Sequence, residues 1–237
     1  KSAGSVVRAI ASAASGYTKI EQSLRGQKSH LVDSFKNDII STIKQVNYLS
    51  DDIVELIIHS PLAVKNFKPG QFFRLQNMAS DIDKIIEPLA LTGSSVDREN
   101  DTISLIILEV GRSSGMCRNF KPGETVFLMG PTGAPTKIVK NKTLALIGGG
   151  LGNAVLIAVG QELKKNGCRI LYFAGYKNKQ DRFYHDKIEQ FSNTVFWSLE
   201  NSVFDNVREQ DYMISGNIID AINFANNEGL LSKLDHV

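Results

Sequence analysis

Gly148-Gly149-Gly150-Leu151-Gly152 separates an apolar run, Thr143–Ile147, from a stretch with helical periodicity, Ala154–Lys165. Strand, glycine turn and helix in that order let a backbone without Cβ atoms approach a ligand, with the helix N-terminus directed at a pyrophosphate. The other reading of these glycines is a tight turn that packs strand against helix. A plain NAD-type Rossmann domain also has an acidic residue at the tip of the next strand, and Ala174-Gly175-Tyr176-Lys177-Asn178-Lys179 has none. Tyr176, Lys177, Lys179 and Arg182 instead suit a 2′-phosphate, or form a solvated basic loop. A second phosphate-seeking segment, Gly111-Arg112-Ser113-Ser114-Gly115-Met116-Cys117, combines backbone N–H groups, hydroxyls and a guanidinium. Ordinary N-capping by Ser113 or Ser114 explains the same serines.

Other chemistries lack their residues. Cys117 and Cys168 are too few for a four-thiolate iron–sulfur cluster, a CxxC zinc knuckle or a disulfide framework, and read as reduced thiols of a cytoplasmic chain. His30, His59, His185 and His236 are scattered without metal-ligand spacing, so no metal site is expected. Lys plus Arg number 27 against 25 Asp plus Glu, a net charge of +2 that is too small and too evenly spread for a nucleic-acid footprint. No apolar run approaches the roughly 18 residues of a membrane span. No pair of side chains reads as a general acid and base, so catalytic residues are not assigned.

The elements that must hold these segments follow from texture along the chain. Its 237 residues correspond to roughly 1.6 domains at about 150 residues each, and the mix of 42% hydrophobic and 22% charged residues is that of an ordinary folded chain. From Ser2 to about Leu24, Val6, Val7, Ile10, Ala11 and Ala14 mark one helical face, and residues 1–37 form a helical leader. Residues 38–138 carry short β-rich runs, Ile39–Tyr48, Ile53–His59, Gln71–Gln76, Thr102–Val110 and Thr125–Met129, punctuated by Lys68-Pro69-Gly70, Lys121-Pro122-Gly123 and Gly130-Pro131-Thr132-Gly133. An antiparallel β-barrel fits. Residues 139–237 alternate apolar strands with helices: Thr143–Ile147, Ala154–Lys165, Arg169–Ala174, Phe183–Phe191, Thr194–Trp197, Tyr212–Ile214 and a helix from Ile218. That is an α/β domain with a parallel sheet. The chain opens with Lys1 rather than methionine, which leads to the expectation that it is a piece of something longer.

A barrel containing Pro69-Gly70-Gln71-Phe72-Phe73 and Gly130-Pro131-Thr132-Gly133, followed by the Gly148–Gly152 turn and Ser215-Gly216-Asn217, resembles the ferredoxin–NADP reductase superfamily over about Asn37–Asn227. Within it, the stretch Gly123–Gly152 is most similar to the electron-transfer subunits of dihydroorotate dehydrogenase, sulfide dehydrogenase and transhydrogenase types. The resemblance implies an FAD on the barrel and NADP or NAD on the α/β domain, with NADP slightly favoured. It implies Gly70, Gln71 and Phe72 shaping the barrel, and Leu89, Ala90, Leu91 and Thr92 lining the flavin. It further places Arg112, Ser113, Ser114 and Gly115 at the diphosphate, Thr132 and Gly133 near the nicotinamide, and Ser215 and Gly216 closing the far side. Gly148, Gly149, Gly150 and Gly152 then hold the nucleotide. Separately, Ala3-Gly4-Ser5-Val6-Val7-Arg8-Ala9-Ile10-Ala11-Ser12-Ala13 is similar to the last helix of the glutamate synthase small-subunit family, whose N-terminus faces the FAD of an upstream domain.

Two segments depart from that pattern. Where a flavin barrel carries Arg-x-Tyr-Ser/Thr, this chain has Glu87-Pro88-Leu89-Ala90-Leu91-Thr92, with Glu87 at the arginine and Ala90 at the hydroxyl. Thr92 replaces the hydroxyl if the register slips by two, and Arg74 or Arg112 replaces the guanidinium. Asn153 stands where relatives place an apolar residue before Ala-Pro, and is expected to cap the helix. The functional expectation is the reductase-like part of a glutamate synthase small-chain-like flavoprotein. It would move electrons between NAD(P)H and a redox partner, such as the glutamate synthase large subunit, through FAD. The alternative is a reductase-shaped module without flavin, used for binding or assembly.

Overall fold

Strands whose alternate side chains face a common core shape the first half of the chain. The computed structural model describes residues 40–77, 85, 88–201 and 207–235; the leader lies outside them. Strands β1 (Ser41–Tyr48), β2 (Ile53–His59), β3 (Phe72–Asn77), β4 (Leu89–Asp97), β5 (Thr102–Leu108) and β6 (Thr125–Thr132) close an antiparallel barrel in the order β1-β2-β5-β4-β3-β6. Val54, Leu56 and Ile58 of β2, Ile103, Leu105 and Ile107 of β5, and Phe73 and Leu75 of β3 turn inward at the two-residue period of a pleated strand and form one core. Short helices α1 (Pro61–Asn66) and α2 (Arg112–Gly115) fill the connections. Five of the six strands correspond to the five β-rich runs of the sequence. The sixth, β4, reads Leu-Ala-Leu-Thr-Gly-Ser-Ser-Val-Asp and has too few β-branched or aromatic residues to announce itself; the barrel needs it to close.

The second half is built on four parallel strands, β7 (Thr143–Gly149), β8 (Arg169–Tyr176), β9 (Thr194–Leu199) and β10 (Tyr212–Ser215), ordered β10-β9-β8-β7. Helices α3 (Asn153–Lys165) and α4 (His185–Phe191) cover one face, where Tyr172 and Trp197 pack with Ile157, Leu163, Ile188 and Phe191. Helix α5 (Ile218–Asn227) covers the other, with Ala221 and Ala225 against Phe173 and Phe196. Phe173, Phe196 and Tyr212 stack across three strands with successive centroid distances of 4.5 and 5.1 Å. After α5 the chain returns to β7, where Asp235 accepts from the Thr143 N–H at 2.8 Å and its own N–H donates to the Thr143 carbonyl at 2.8 Å. Helix α4 begins two residues later than the sequence suggests, because Tyr184 adopts a left-handed backbone (φ 55°) that a right-handed helix cannot include.

Barrel and sheet share their cores. Ile53 and Ile106, which point out of the barrel, belong to the apolar cluster of the parallel sheet, and Ala158 of α3 belongs to that of the barrel. Residues 38–237 are accordingly one compact unit. Within α3, Gly160 gives way to the buried Phe191 ring: a Cβ there would stand 2.2 Å from Cε2. Gly160→Ala is therefore expected to lower stability by about 1–3 kcal/mol in urea denaturation, and Phe191→Leu in the same chain to return part of that loss by vacating the contact.

Candidate functional site

The glycine turn is open on one side and braced on the other. Strand β7 runs into a single 3-10 turn, Gly150–Gly152, and α3 follows directly. A Cβ added at Gly149, Gly150 or Gly152 would meet no atom within 4 Å, so this stretch of backbone faces free space. Gly148 is the reverse case, since a Cβ there would lie 2.4 Å from Asn153 Oδ1. Asn153 is fully buried; its Nδ2 donates to the Gly150 carbonyl at 3.0 Å and its Oδ1 accepts from the Tyr172 hydroxyl at 3.0 Å. The expected capping role is thus corrected. Asn153 lies inside α3, whose N-cap position, Gly152, has no side-chain bond, and its amide instead fixes the turn against β8.

The turn opens onto a crevice of about 470 Å³ at the carboxyl ends of the parallel strands, the side on which open α/β sheets hold ligands. Asp52, Ile53 and Leu108 of the barrel form one wall; Gly149, Gly150 and Leu151 form the floor. The remaining lining comes from Gly175–Lys177, Asp181, Glu200, Asn217 and Ile218. Of the basic cluster singled out in the sequence, Lys177 is the cation that lines it. The Arg182 guanidinium lies 5.2 Å from the Trp197 ring centroid, where burial lowers its pKa. Burial drives the Tyr176 phenol far up, so it stays neutral. Sequence reasoning missed the carboxylates Asp181 and Glu200. Glu200 follows the last residue of β9, so an acid at a strand tip is present one strand beyond β8.

Ser215 and Gly216 form the turn from β10 into α5. Gly216 has φ +134°, and a Cβ there would come within 2.4 Å of the Asp220 carboxylate. Asn217 caps α5 by accepting from the N–H groups of Ile219 (2.7 Å) and Asp220 (3.3 Å), while Asp220 accepts from the Asn217 N–H at 2.8 Å. This locked start presents Asn217 and Ile218 to the crevice opposite the glycine turn.

On the barrel, β4 and β5 part company beside this crevice. They pair only through Gly93–Asp97 and Thr102–Leu105; Leu89–Thr92 pair with β3, and Ile106–Leu108 with β2. The result is a wedge with Leu108 on its crevice side. Leu89 and Leu91 pack with the barrel core. Ala90 and Thr92 alternate to the outer face, opposite Arg74 and Phe72 of β3, and Thr132 of β6 pairs with Phe72 on its other flank. Phe72, Arg74, Ala90, Thr92 and Thr132 therefore share one face, extended by Gly133, whose carbonyl accepts from Gln71 Nε2 at 2.9 Å. Beyond β5, α2 is a single turn from Arg112 to Gly115, in which the Ser114 hydroxyl donates to the Gly111 carbonyl and accepts from its N–H, both at 3.1 Å. A Cβ at Gly111 or Gly115 would meet nothing within 4 Å. Glu87 lies outside the described residues. Burial, with Glu109 nearby, pushes the Cys117 thiol up to about 12. Among the described residues no cluster of three or more His, Cys, Asp or Glu side chains is placed to hold a metal ion, and no helix is long and apolar enough to cross a membrane.

No protein-family model matches the chain. Over 176 residues it is 42% identical to an uncharacterised protein of Rickettsia prowazekii (strain Madrid E), a match that spans 71% of this chain and 24% of that protein. It is 24% identical over 207 residues to the electron transfer subunit of dihydroorotate dehydrogenase B (NAD+) from Enterococcus faecalis, covering 84% of this chain and 77% of the relative. The structure superposes on the NADH-dependent reduced ferredoxin-NADP oxidoreductase with a TM-score of 0.67 at 24% identity, over 79% of this chain and 63% of the other. Ferredoxin-NADP+ reductase from Plasmodium falciparum gives a TM-score of 0.63 at 19% identity, over 85% of this chain and 84% of the other.

The fold is that of the ferredoxin–NADP+ reductases. In this reductase fold the glycine turn and the barrel wedge meet at one crevice, and the Asn153 brace is what keeps the turn's N–H groups in place. Asn153→Ala strands the Gly150 carbonyl and the Tyr172 hydroxyl in a buried site, so it is expected to cost about 1–3 kcal/mol in denaturant unfolding and to speed amide exchange through residues 148–153.

Proposed function

We propose that the chain is an electron-transfer module. The Gly149–Gly152 backbone would hold a nicotinamide nucleotide and the outward barrel face an FAD, the two cofactors supplying hydride transfer and the passage of electrons to a redox partner. The observation that carries this reading is the crevice itself, whose floor is the open Gly149–Leu151 backbone and whose wall is the barrel surface at Ile53 and Leu108. Sequence relationship to subunits named for electron transfer supports it.

The residues present suit a flavin in type. Arg74 pairs across from Ala90 on β3, and Arg112 opens α2 beyond β5, so an arginine stands on the elements to either side of the wedge, the residue type that would hold a diphosphate. Thr92 supplies a hydroxyl two residues beyond Ala90 on the same face. Thr132 and Gly133 border that face, and Leu89 and Leu91 support it from inside. When bound, FAD supplies acceptance of two electrons and their release one at a time. The protein's share is placement. The Gly149–Gly152 backbone approaches the pyrophosphate, Asn217 and Ile218 with Ser215 and Gly216 behind them bound the nicotinamide side, and the apolar wall at Ile53, Leu108 and Leu151 excludes water.

NAD(H) is the better fit of the two nucleotides. Glu200, and the Asp181 oxygen that its bonds with Asn178 leave over, would accept hydrogen bonds from a ribose diol, whereas a 2′-phosphate would meet two carboxylates with Lys177 as the one lining cation among the described residues. A finer reading, the reductase-like part of a glutamate synthase small-chain-like flavoprotein, rests on Ala3–Ala13, which lie outside the described residues. A flavin-free assembly module draws support from Ala90 and from the Ser114 hydroxyl, already engaged by its own turn.

Titration decides between them. The full chain is expected to take up FAD, turn yellow and gain about 2.7 kcal/mol of stability at a hundredfold excess over Kd; a protein that stays colourless with an unmoved Tm is the assembly module. Under anaerobic conditions NADH should bleach the bound flavin at least about tenfold more efficiently than NADPH, a difference of roughly 1.4 kcal/mol, and Glu200→Lys should narrow or invert that ratio. Gly149→Ala, whose Cβ meets no atom within 4 Å, is expected to keep Tm and lose nucleotide binding; retention of binding would remove the glycine turn from the site.

A further inference from the structure

Glu109 and Arg118 stand at the two ends of residues 110–117, the segment that leaves β5 and carries the Gly111–Gly115 turn. Their side chains meet at 2.9 Å, Glu109 Oε2 with Arg118 Nη2, and the Glu109 side chain is 7% exposed. Glu109 Oε1 is buried and accepts no hydrogen bond among the described residues. An ion pair between two exposed side chains is worth little, but here removal of the cation leaves a sheltered charge unpaired. The same Arg118 Nη2 donates to the Asp51 carbonyl at 2.7 Å, and the Glu109 N–H donates to the Asp52 carbonyl at 2.8 Å. The Arg118 carbonyl accepts from the Tyr48 hydroxyl at 2.8 Å, with the guanidinium 5.8 Å from the Tyr48 ring centroid. One pair thus joins the end of β5, the 3-10 turn Cys117–Asn119 and the turn between β1 and β2.

These pieces border the crevice and the wedge. Asp52 and Ile53, next to the carbonyl that Arg118 holds, and Leu108, next to Glu109, form the barrel wall of the crevice. The far end of the segment is pinned by Cys117 and Phe120, which lie in the barrel core, and the Cys117 thiol donates to the Ser113 carbonyl at 3.9 Å. Between these anchors Gly111, Ser114 and Gly115 bond to one another, and Val110 stands 81% exposed at the lip. A short arch whose base is closed loses little freedom when a ligand settles on it, whereas an open one must first be ordered, which weakens binding. Apolar anchoring at Cys117 fixes one foot of this arch, and the ion pair sets how far that foot stands from the other.

We propose that Glu109 and Arg118 are a positioning pair that closes the base of residues 110–117 and holds the Gly111–Gly115 turn in fixed relation to the crevice wall at Asp52 and Leu108. The closure is independent of the functional reading; its effect on flavin rests on that reading, in which this turn serves the FAD diphosphate. Hydrogen exchange on the cofactor-free full chain tests the first part. In R118M the hydrogen-bonded amides of Gly111, Gly115, Met116 and Asn119 are expected to exchange about tenfold faster, while those of β3 and β6 stay unchanged. The double variant E109Q/R118M, which leaves no charge unpaired, is expected to add nothing to R118M. Additive effects, a rise through the whole barrel, or no rise overturns the closure; should R118M fail to fold, E109Q alone carries the same comparison. The second part is read by titrating the full chain with FAD and with riboflavin, which has the flavin ring and no phosphate. R118M should raise the Kd for FAD about tenfold and leave that for riboflavin unchanged. Equal losses for the two ligands, or an unchanged Kd for FAD in a variant with raised exchange, overturns the positioning role. A wild-type chain that binds neither flavin overturns the functional reading, while the exchange result still decides the closure.

Discussion

Ile53 and Ile106 point out of the barrel and are nonetheless buried, because their surroundings are the core of the parallel sheet. Burying two such side chains contributes about 1.5–3 kcal/mol each, and it joins the barrel, an edge-free structure with its own core, to the sheet. The crevice exists because of that union. Its barrel wall begins at Ile53 and ends at Leu108, at the points where β2 begins and β5 ends. Remove the shared core and the glycine turn still forms, since Asn153 braces it from within its own half, but it faces nothing.

Charge in the crevice is set by which side chains are diverted from it. Tyr176 ends β8 and lines the crevice with its ring buried against Phe183, while Arg182, close behind it in the chain, turns its guanidinium over Trp197. Large aromatic rings under a parallel sheet bury more apolar area in these positions than a loop would. What remains at the rim is Lys177 with Asp52, Asp181 and Glu200, an acidic balance that a basic-looking stretch of sequence conceals.

The barrel face shows how a departure from a family pattern is absorbed by strand pairing. Ala90 lacks a hydroxyl, but β3 brings Arg74 directly across from it and the two-residue alternation of β4 brings Thr92 onto the same side. Leu89 and Leu91, adjacent in sequence to both, go to the core instead. Neighbouring residues of one short segment thereby divide into a ligand-facing pair and a supporting pair, a division that follows from strand geometry alone.

Much of this was legible in the residues themselves. The β-rich runs Ile53–His59 and Thr102–Leu108 among proline and glycine turns, the fully apolar runs of β7 and β8, and the glycines between β7 and α3 determined a barrel followed by a parallel sheet with a ligand turn, because strand composition and turn chemistry are local. The β4 strand, the inward turn of Asn153, the acidic rim at Glu200 and the burial of Glu55 on the outer side of β2 were decided only by tertiary structure. Each depends on a partner many residues away. Glu55 accepts from the Ser104 hydroxyl 49 positions later in the chain, and Asn153 meets Tyr172 across a helix and a strand. Local composition carries the preference of a side chain for water or for core; which polar group answers another inside that core is a matter of packing, and no spacing along the chain encodes it.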